Sequence, residues 1–166
     1  FGYVYGPKLR VVSTGFNYRM TKPQLAVGIT QLAKIDRINE LKRNAMNRLN
    51  RLLEEIDEII TPADFDEGHA AHLHVARLDA TKVKFSRAMF RKHLAGMYKV
   101  GTGIHYPIVW DWEAFEKIDH DRSDCHVAER VCREVMSLPV FPMTTEDELA
   151  YIAQAIKQTI VDLRGA

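Results

Sequence analysis

From Thr21 to about Ile59, apolar residues recur at helical spacing: Leu25, Ile29, Leu32, Ile35, Ile38 and Leu41, then Leu49, Leu52, Ile56 and Ile59. That period predicts a long amphipathic helix. Thr21 reads as its N-cap, with Gln24 three residues on in capping-box position and Pro23 in the first turn. Pro62 ends it. A straight helix over this whole span would exceed about 50 Å. A compact domain of 166 residues does not need one so long, so a kink or a span between two bodies is expected. The N-terminal side of this helix has little core of its own, and something else should pack there.

The rest of the chain alternates between the two periodicities. Residues 1–14 look extended, interrupted by Gly6-Pro7. His72 to Asp79 reads as a strand. Ser86 then caps a helix to about Ala95, with Phe85 and Phe90 spaced as a hydrophobic staple and Gly96 as the stop. Val100 to Tyr106 reads as a second strand, ended by Pro107. A helix from about Cys125 to Met136 should bury Val127, Val131 and Val135. Leu138 to Pro142 is a short extended piece. Thr145 and Glu148 form a second capping box, and the last helix buries Leu149, Ile152, Ile156, Ile160 and Leu163 before Gly165. This order predicts an α/β layer, a small sheet covered by helices.

Charge is nearly balanced, with 23 basic and 22 acidic residues, so nothing in the total points to nucleic acid. The basic stretch Lys34 to Arg51, with Arg37, Lys42, Arg43 and Arg48, reads as a solvated helix face rather than a nucleic-acid footprint. No apolar run approaches the roughly 20 residues needed to cross a membrane. Cys125 and Cys132 lie two helical turns apart, about 10 Å, too far for a disulfide. Reduced thiols and a cytoplasmic setting follow.

Chemistry concentrates at Gly15-Phe16-Asn17-Tyr18-Arg19-Met20-Thr21. An amide, a phenol and a guanidinium stand immediately before a helix N-terminus, where free N–H groups and the dipole favour an anion such as phosphate. Asn17 either caps a turn or donates to a phosphate oxygen without adding charge. Arg19 assists a phosphate or an anionic substrate group, or pairs with a carboxylate. His69, His72 and His74 invite a metal reading, since His72 and His74 share a strand face. No Cys or carboxylate completes a recognisable ligand pattern, and His120, Cys125 and His126 form an equally incomplete cluster, so no metal is expected.

Four segments resemble, in order, the sugar aminotransferases of the DegT/StrS type. They are Gly15 to Thr21; the helix with Gln24, Ala26, Gly28 and Gln31-Leu32; Gly101-Thr102-Gly103-Ile104-His105-Tyr106-Pro107; and Ala128-Glu129-Arg130 leading to Ser137-Leu138-Pro139 and the last helix. The resemblance covers nearly the whole chain. It implies the C-terminal segment of a type I pyridoxal phosphate (PLP) transferase fold. Residues 1–20 would be the tail of the large PLP-binding domain, 21–60 a long connecting helix, and 61–166 the small domain.

The resemblance also implies a homodimer through the motif and the long helix, acting on a nucleotide-linked keto-sugar or a keto-cyclitol with an amino-acid donor. Asn17 would reach the cofactor phosphate of the neighbouring subunit, aided by Arg19, and His105 and Tyr106 would contact substrate, as would Arg19. The Schiff-base lysine of the family lies ahead of this motif, in a Ser-x-x-Lys context followed by Gly-Glu-Gly-Gly. No such run occurs here, and Lys8 reads as a surface lysine. The chain alone is therefore expected to be inactive, with the large domain supplied by a preceding segment or a second polypeptide. Where the family often has a second His, this chain has Ile108-Val109-Trp110-Asp111-Trp112, which leaves the substrate class open. Trp110 and Trp112 either stack on a sugar or base or simply pack. A non-catalytic dimerisation module of the same fold is the competing reading.

Overall fold

The computed structural model describes residues 2–4, 10–13, 16, 18–115, 117–118 and 124–165. The chain divides into two compact units, Phe1–Asp36 and Arg37–Ala166. In the first, β1 (Gly2–Val4) pairs antiparallel with β2 (Arg10–Ser13), and α1 (Lys22–Leu32) follows. Gly6, Pro7 and Lys8 lie outside the described residues. Thr21 caps α1 as expected, its backbone N–H donating to Gln24 Oε1 at 2.8 Å. No residue of α1 is buried, and Leu25, Val27, Ile29 and Leu32 are exposed.

The helical period does not run unbroken to Ile59. A turn at Ala33-Lys34 separates α1 from α2 (Ile35–Leu53). The chain then leaves the helix, and Ile59–Ile60 becomes strand β3. The apolar spacing of Ile56 and Ile59 fits a helix, but Ile59 instead pairs with Leu78 of β4 (His74–Leu78), a long-range contact that local periodicity does not report.

The second unit holds an antiparallel sheet in the order β3-β4-β5, with β5 at Val135–Leu138. His74 pairs with Leu138, and Arg77 with Val135. In β4, His74, Ala76 and Leu78 are buried, the alternation of a strand with one face on the core. That core gathers Met46, Leu49 and Leu53 of α2, Phe90 and Leu94 of α3 (Arg87–Tyr98), Met136, and Leu149, Ile152, Ile156 and Ile160 of α5 (Glu146–Arg164). Leu163 packs at its margin.

Ser86 caps α3, its hydroxyl accepting from Met89 N–H at 3.2 Å, and Phe85 stacks on Phe90 with centroids 6.3 Å apart. Gly96 does not stop this helix. It continues to Tyr98 and ends at Lys99, which takes the left-handed conformation at φ 57°. The predicted strand from Val100 to Tyr106 is absent among the described residues apart from one bridge, Gly103 to Ser137.

The predicted helix from Cys125 to Met136 is also shorter than expected. α4 spans His126–Glu134, and Val127 is exposed. At Val135 the backbone turns extended and enters β5, which the β-branched Val135 suits. Arg87 fixes this handover by donating Nη1 to the carbonyls of Cys132 and Val135 at 2.5 and 2.7 Å. The buried Glu134 carboxylate accepts from Arg77 Nε and Nη2 at 3.1 and 2.6 Å, tying α4 to β4. Thr145 and Glu148 form their capping box at the start of α5. Both cysteines are free thiols.

Near the end of α5, Asp162 accepts hydrogen bonds from Gln158 (3.0 Å), Tyr98 (2.7 Å) and His93 (2.9 Å). Those bonds, Gln158 first, lower its carboxyl from the usual 3.8 to about 2. A depressed carboxyl stabilises the fold above its unfolded pKa, and that contribution disappears as pH falls through the folded value. The stability difference between wild type and Asp162→Asn should therefore shrink from pH 4 to pH 2. Urea midpoints at each pH check this, and a constant difference would refute it.

Candidate functional site

The segment after α3 is fastened before it reaches His105. Arg91 of α3 donates Nε to Thr102 Oγ1 at 2.7 Å and Nη2 to the Thr102 carbonyl at 2.6 Å. Gly103 N–H donates to the Ser137 carbonyl at 3.0 Å, and Ser137 N–H donates back at 2.8 Å. His105 folds over this pair: its Nδ1 lies 2.7 Å from the hydroxyl of the buried Ser137. The ring also sits against Gly103 so closely that a Cβ there would lie 2.6 Å from His105 Cε1. Glycine is needed at this position for the ring, since its backbone is not in the left-handed region. With Nδ1 engaged by Ser137, Nε2 is the imidazole atom left for a ligand.

Tyr106 follows at φ 77°, left-handed and just before Pro107, a conformation that a non-glycine residue adopts only under constraint. Its exposed ring stands 6.2 Å from Trp112, which in turn stands 6.5 Å from Phe115. The structure thus places Trp112 in an aromatic row with Tyr106 rather than in a core, and Tyr106 is not part of the wall of the cleft beside His105.

A cleft of about 580 Å³ opens beside His105. Its walls include Lys42 of α2, His72 ahead of β4, Ser137 and Leu138 of β5, and Pro139 and Phe141 beyond it. That volume is within the range of small-molecule sites. Lys42 donates to the His72 carbonyl at 3.1 Å, Arg43 to the His69 carbonyl at 3.3 Å, and Arg48 to Glu146 at 2.8 Å. These three are therefore not merely a solvated face: they fasten other segments to α2. Sequence reasoning did not mark Ser137 or Lys42 as site residues. His105 and Ser137 are 32 positions apart, and only the sheet register joins them.

Two histidines of the metal reading serve other ends. His74 is fully buried, and its Nε2 donates to Asn50 Oδ1 at 2.8 Å while the Asn50 amide donates to the Pro62 carbonyl. His69 packs edge-on against Phe65, and its Nδ1 accepts from Ala71 N–H at 2.8 Å. Among the described residues, no group of three or more His, Cys, Asp or Glu side chains is placed to hold a metal ion. His120 lies outside the described residues.

Asn17 also lies outside the described residues. Arg19, in the first unit, is exposed just ahead of Thr21, and Phe16 and Tyr18 beside it form an edge contact at 6.3 Å. The first turn of α1 carries no acidic residue and begins with Lys22, so its local field suits an anion. Among the described residues, no helix is long and apolar enough to cross a membrane.

The spore coat polysaccharide biosynthesis protein SpsC of Bacillus subtilis is 26% identical over 152 residues, covering 90% of this chain and 39% of SpsC. The putative sugar aminotransferase Spr1654 of Streptococcus pneumoniae, in its PMP form, superposes with a TM-score of 0.79 at 17% identity, over 95% of this chain and 39% of that one. Helicobacter pylori PseC, an aminotransferase involved in pseudoaminic acid biosynthesis, gives 0.77 at 16% identity over 97% and 43%. These similarities establish a shared fold, and the chain spans about two fifths of the length of such relatives. The sequence profile of the DegT/DnrJ/EryC1/StrS aminotransferase family matches residues 3–157. With nearly the whole chain inside that match, this chain belongs to the DegT/DnrJ/EryC1/StrS aminotransferase family.

Proposed function

We propose that the complete protein is a PLP-dependent aminotransferase that transfers an amino group from an amino-acid donor to a nucleotide-linked keto-sugar or a keto-cyclitol. It works as a cytoplasmic homodimer, with this chain as the C-terminal portion. The observation that carries the reading is the family match over residues 3–157 together with the constrained His105 beside a cleft. PLP supplies the electron sink that lets an amino group leave one carbon and join another.

This chain's residues bind and orient. Asn17 donates its amide to the cofactor phosphate of the neighbouring subunit, and Arg19 adds positive charge at the same helix terminus. The acid-free first turn of α1 fits such an anion. His105 presents Nε2 to the sugar, while Ser137 and Gly103 keep its ring from turning. Tyr106 lays an exposed ring against the same substrate. The Schiff-base lysine belongs to the large domain, outside this chain.

The exposed apolar residues of α1 favour a second reading, a non-catalytic module that associates through this helix. Absorbance of bound PLP in the purified full-length protein separates the two.

Asn17→Ala tests the first reading. A hydrogen bond to a charged group is worth about 1.5–3 kcal/mol, so PLP affinity should fall roughly ten- to hundredfold, with the fold intact by circular dichroism. Mixing this variant with a lysine-dead partner should restore activity. One site of each heterodimer then has its lysine and takes its Asn17 from the other subunit. If heterodimers form and activity does not return, Asn17 does not act across the interface.

A further inference from the structure

We infer that the pocket between α3 and α4 binds a small amphipathic anion, a phosphomonoester that carries an apolar body. The inference does not rest on the aminotransferase reading. The pocket has a volume of about 390 Å³ and shares no lining residue with the cleft beside His105. Its apolar lining comes from Leu78 at the end of β4, Ala80 and Phe85. Its basic lining comes from Arg87 of α3 and from Arg130 and Arg133 of α4, with His126 alongside.

The two carboxylates of the lining are already engaged. Glu134 is held by Arg77 at 2.6 Å, and Glu129 faces Arg133 at 3.9 Å. Arg87 and Arg130 have no carboxylate partner among the described residues. Arg87 is half-buried. It spends Nη1 on the carbonyls of Cys132 and Val135, and its Nε and Nη2 make no hydrogen bond to a described residue. Burial, and then the Arg91 guanidinium one helical turn on, push Arg87 below its ordinary pKa. Arg91 itself donates to the two oxygens of Thr102, again neutral acceptors. A partly buried cation held by neutral oxygens, with a second cation beside it, lacks a counter-charge. A doubly charged phosphate head supplies one, and its three free oxygens suit guanidinium donors.

The apolar lining decides the rest of the ligand. Leu78, Ala80 and Phe85 offer surface that a bare inorganic anion would leave unused and that a hydrocarbon or aromatic group would cover. The location also matters. Arg87 holds the junction from which β5 runs to Ser137, so the bound head would meet the cation that fixes the start of that strand.

The test uses the full-length protein, loaded with PLP and then freed of the excess, so that the cofactor's own phosphate site is filled. Phenyl phosphate is the probe, titrated by calorimetry, with inorganic phosphate and phenol as its two halves. Wild type should bind phenyl phosphate at least about tenfold more tightly than inorganic phosphate, because only the former buries a ring. Phenol should show no measurable binding. Arg130→Glu should weaken phenyl phosphate at least about tenfold, since it removes a charged hydrogen bond and adds a like charge. Arg130→Lys should keep most of the affinity. Ala80→Glu, which puts bulk and a carboxylate into the lining without touching Arg87, should weaken binding as Arg130→Glu does. Arg51→Glu, the same charge change at an exposed position of α2, should leave it as in wild type.

No binding to wild type, undiminished binding to Arg130→Glu and Ala80→Glu, or an equal loss in Arg51→Glu would each overturn the assignment. So would inorganic phosphate binding as tightly as phenyl phosphate, because the apolar lining would then have no part in recognition.

Discussion

Acidification from pH 6.5 to about 4 should destabilise the fold by about 3 kcal/mol through His74 alone. Burial lowers the His74 imidazole from 6.5 to about 4. Its Nε2 is bonded to Asn50, and its buried Nδ1 has no hydrogen-bond partner. A proton taken up at Nδ1 would place a charge in the core with nothing to receive it. Below pH 6.5 the unfolded chain takes up a proton that the folded chain refuses, so stability falls as pH falls until the folded group also titrates. His74→Gln keeps a donor for Asn50 and removes the titration. Urea unfolding across pH 7 to 4 should show wild type losing up to about 1.4 kcal/mol per pH unit more than the variant. Parallel pH profiles would mean that His74 is not the responsible group.

If the complete protein acts as proposed, Gly103→Ala should reduce its keto-sugar turnover about a hundredfold. A Cβ at this position would lie 2.6 Å from His105 Cε1 and 3.1 Å from Nδ1. Contacts that short do not persist, so the ring must swing away and lose Ser137. Misplacing a binding group by about 1 Å can cost a factor of 10². The comparison is Gly96→Ala on the exposed side of α3, where a Cβ meets nothing within 4 Å. That variant should keep wild-type turnover and gain about 0.5–1 kcal/mol of stability. Steady-state kinetics with the keto-sugar varied decide the matter. Unchanged turnover in Gly103→Ala would show that the position of His105 is immaterial.

Local signals proved readable where the physics is local. The capping boxes at Thr21-Gln24 and Thr145-Glu148, the Ser86 cap and the apolar face of α5 rest on interactions within one turn. Two of the misreadings involve distant partners. Ile59 has helical spacing but pairs with Leu78. Val135 continues the apolar face of α4, yet Arg87 takes its carbonyl and β4 takes its strand. Gly96 resembles a helix stop, but the true one is Lys99, whose left-handed backbone no residue type announced. At the candidate site, the Gly101 to Pro107 segment marked His105 and Tyr106. The partner that holds His105 could not be read, because Ser137 reaches it only through the pairing of Gly103 with β5. Lys42 looked like one more surface cation until the chain at His72 was brought against it.

The outer side of β5 has a bearing on how this protein survives at high concentration. A strand at a sheet margin normally offers unpaired N–H and C=O groups to any other extended chain, the usual start of edge-to-edge aggregation. Here Val135 N–H is spent on Val131 and its carbonyl on Arg87. Both backbone groups of Ser137 are spent on Gly103, and residue 139 is a proline with no N–H to offer. The opposite margin, β3, is two residues long. A foreign strand therefore finds little backbone to zip onto, and the residues that hold His105 in place also keep the sheet from growing.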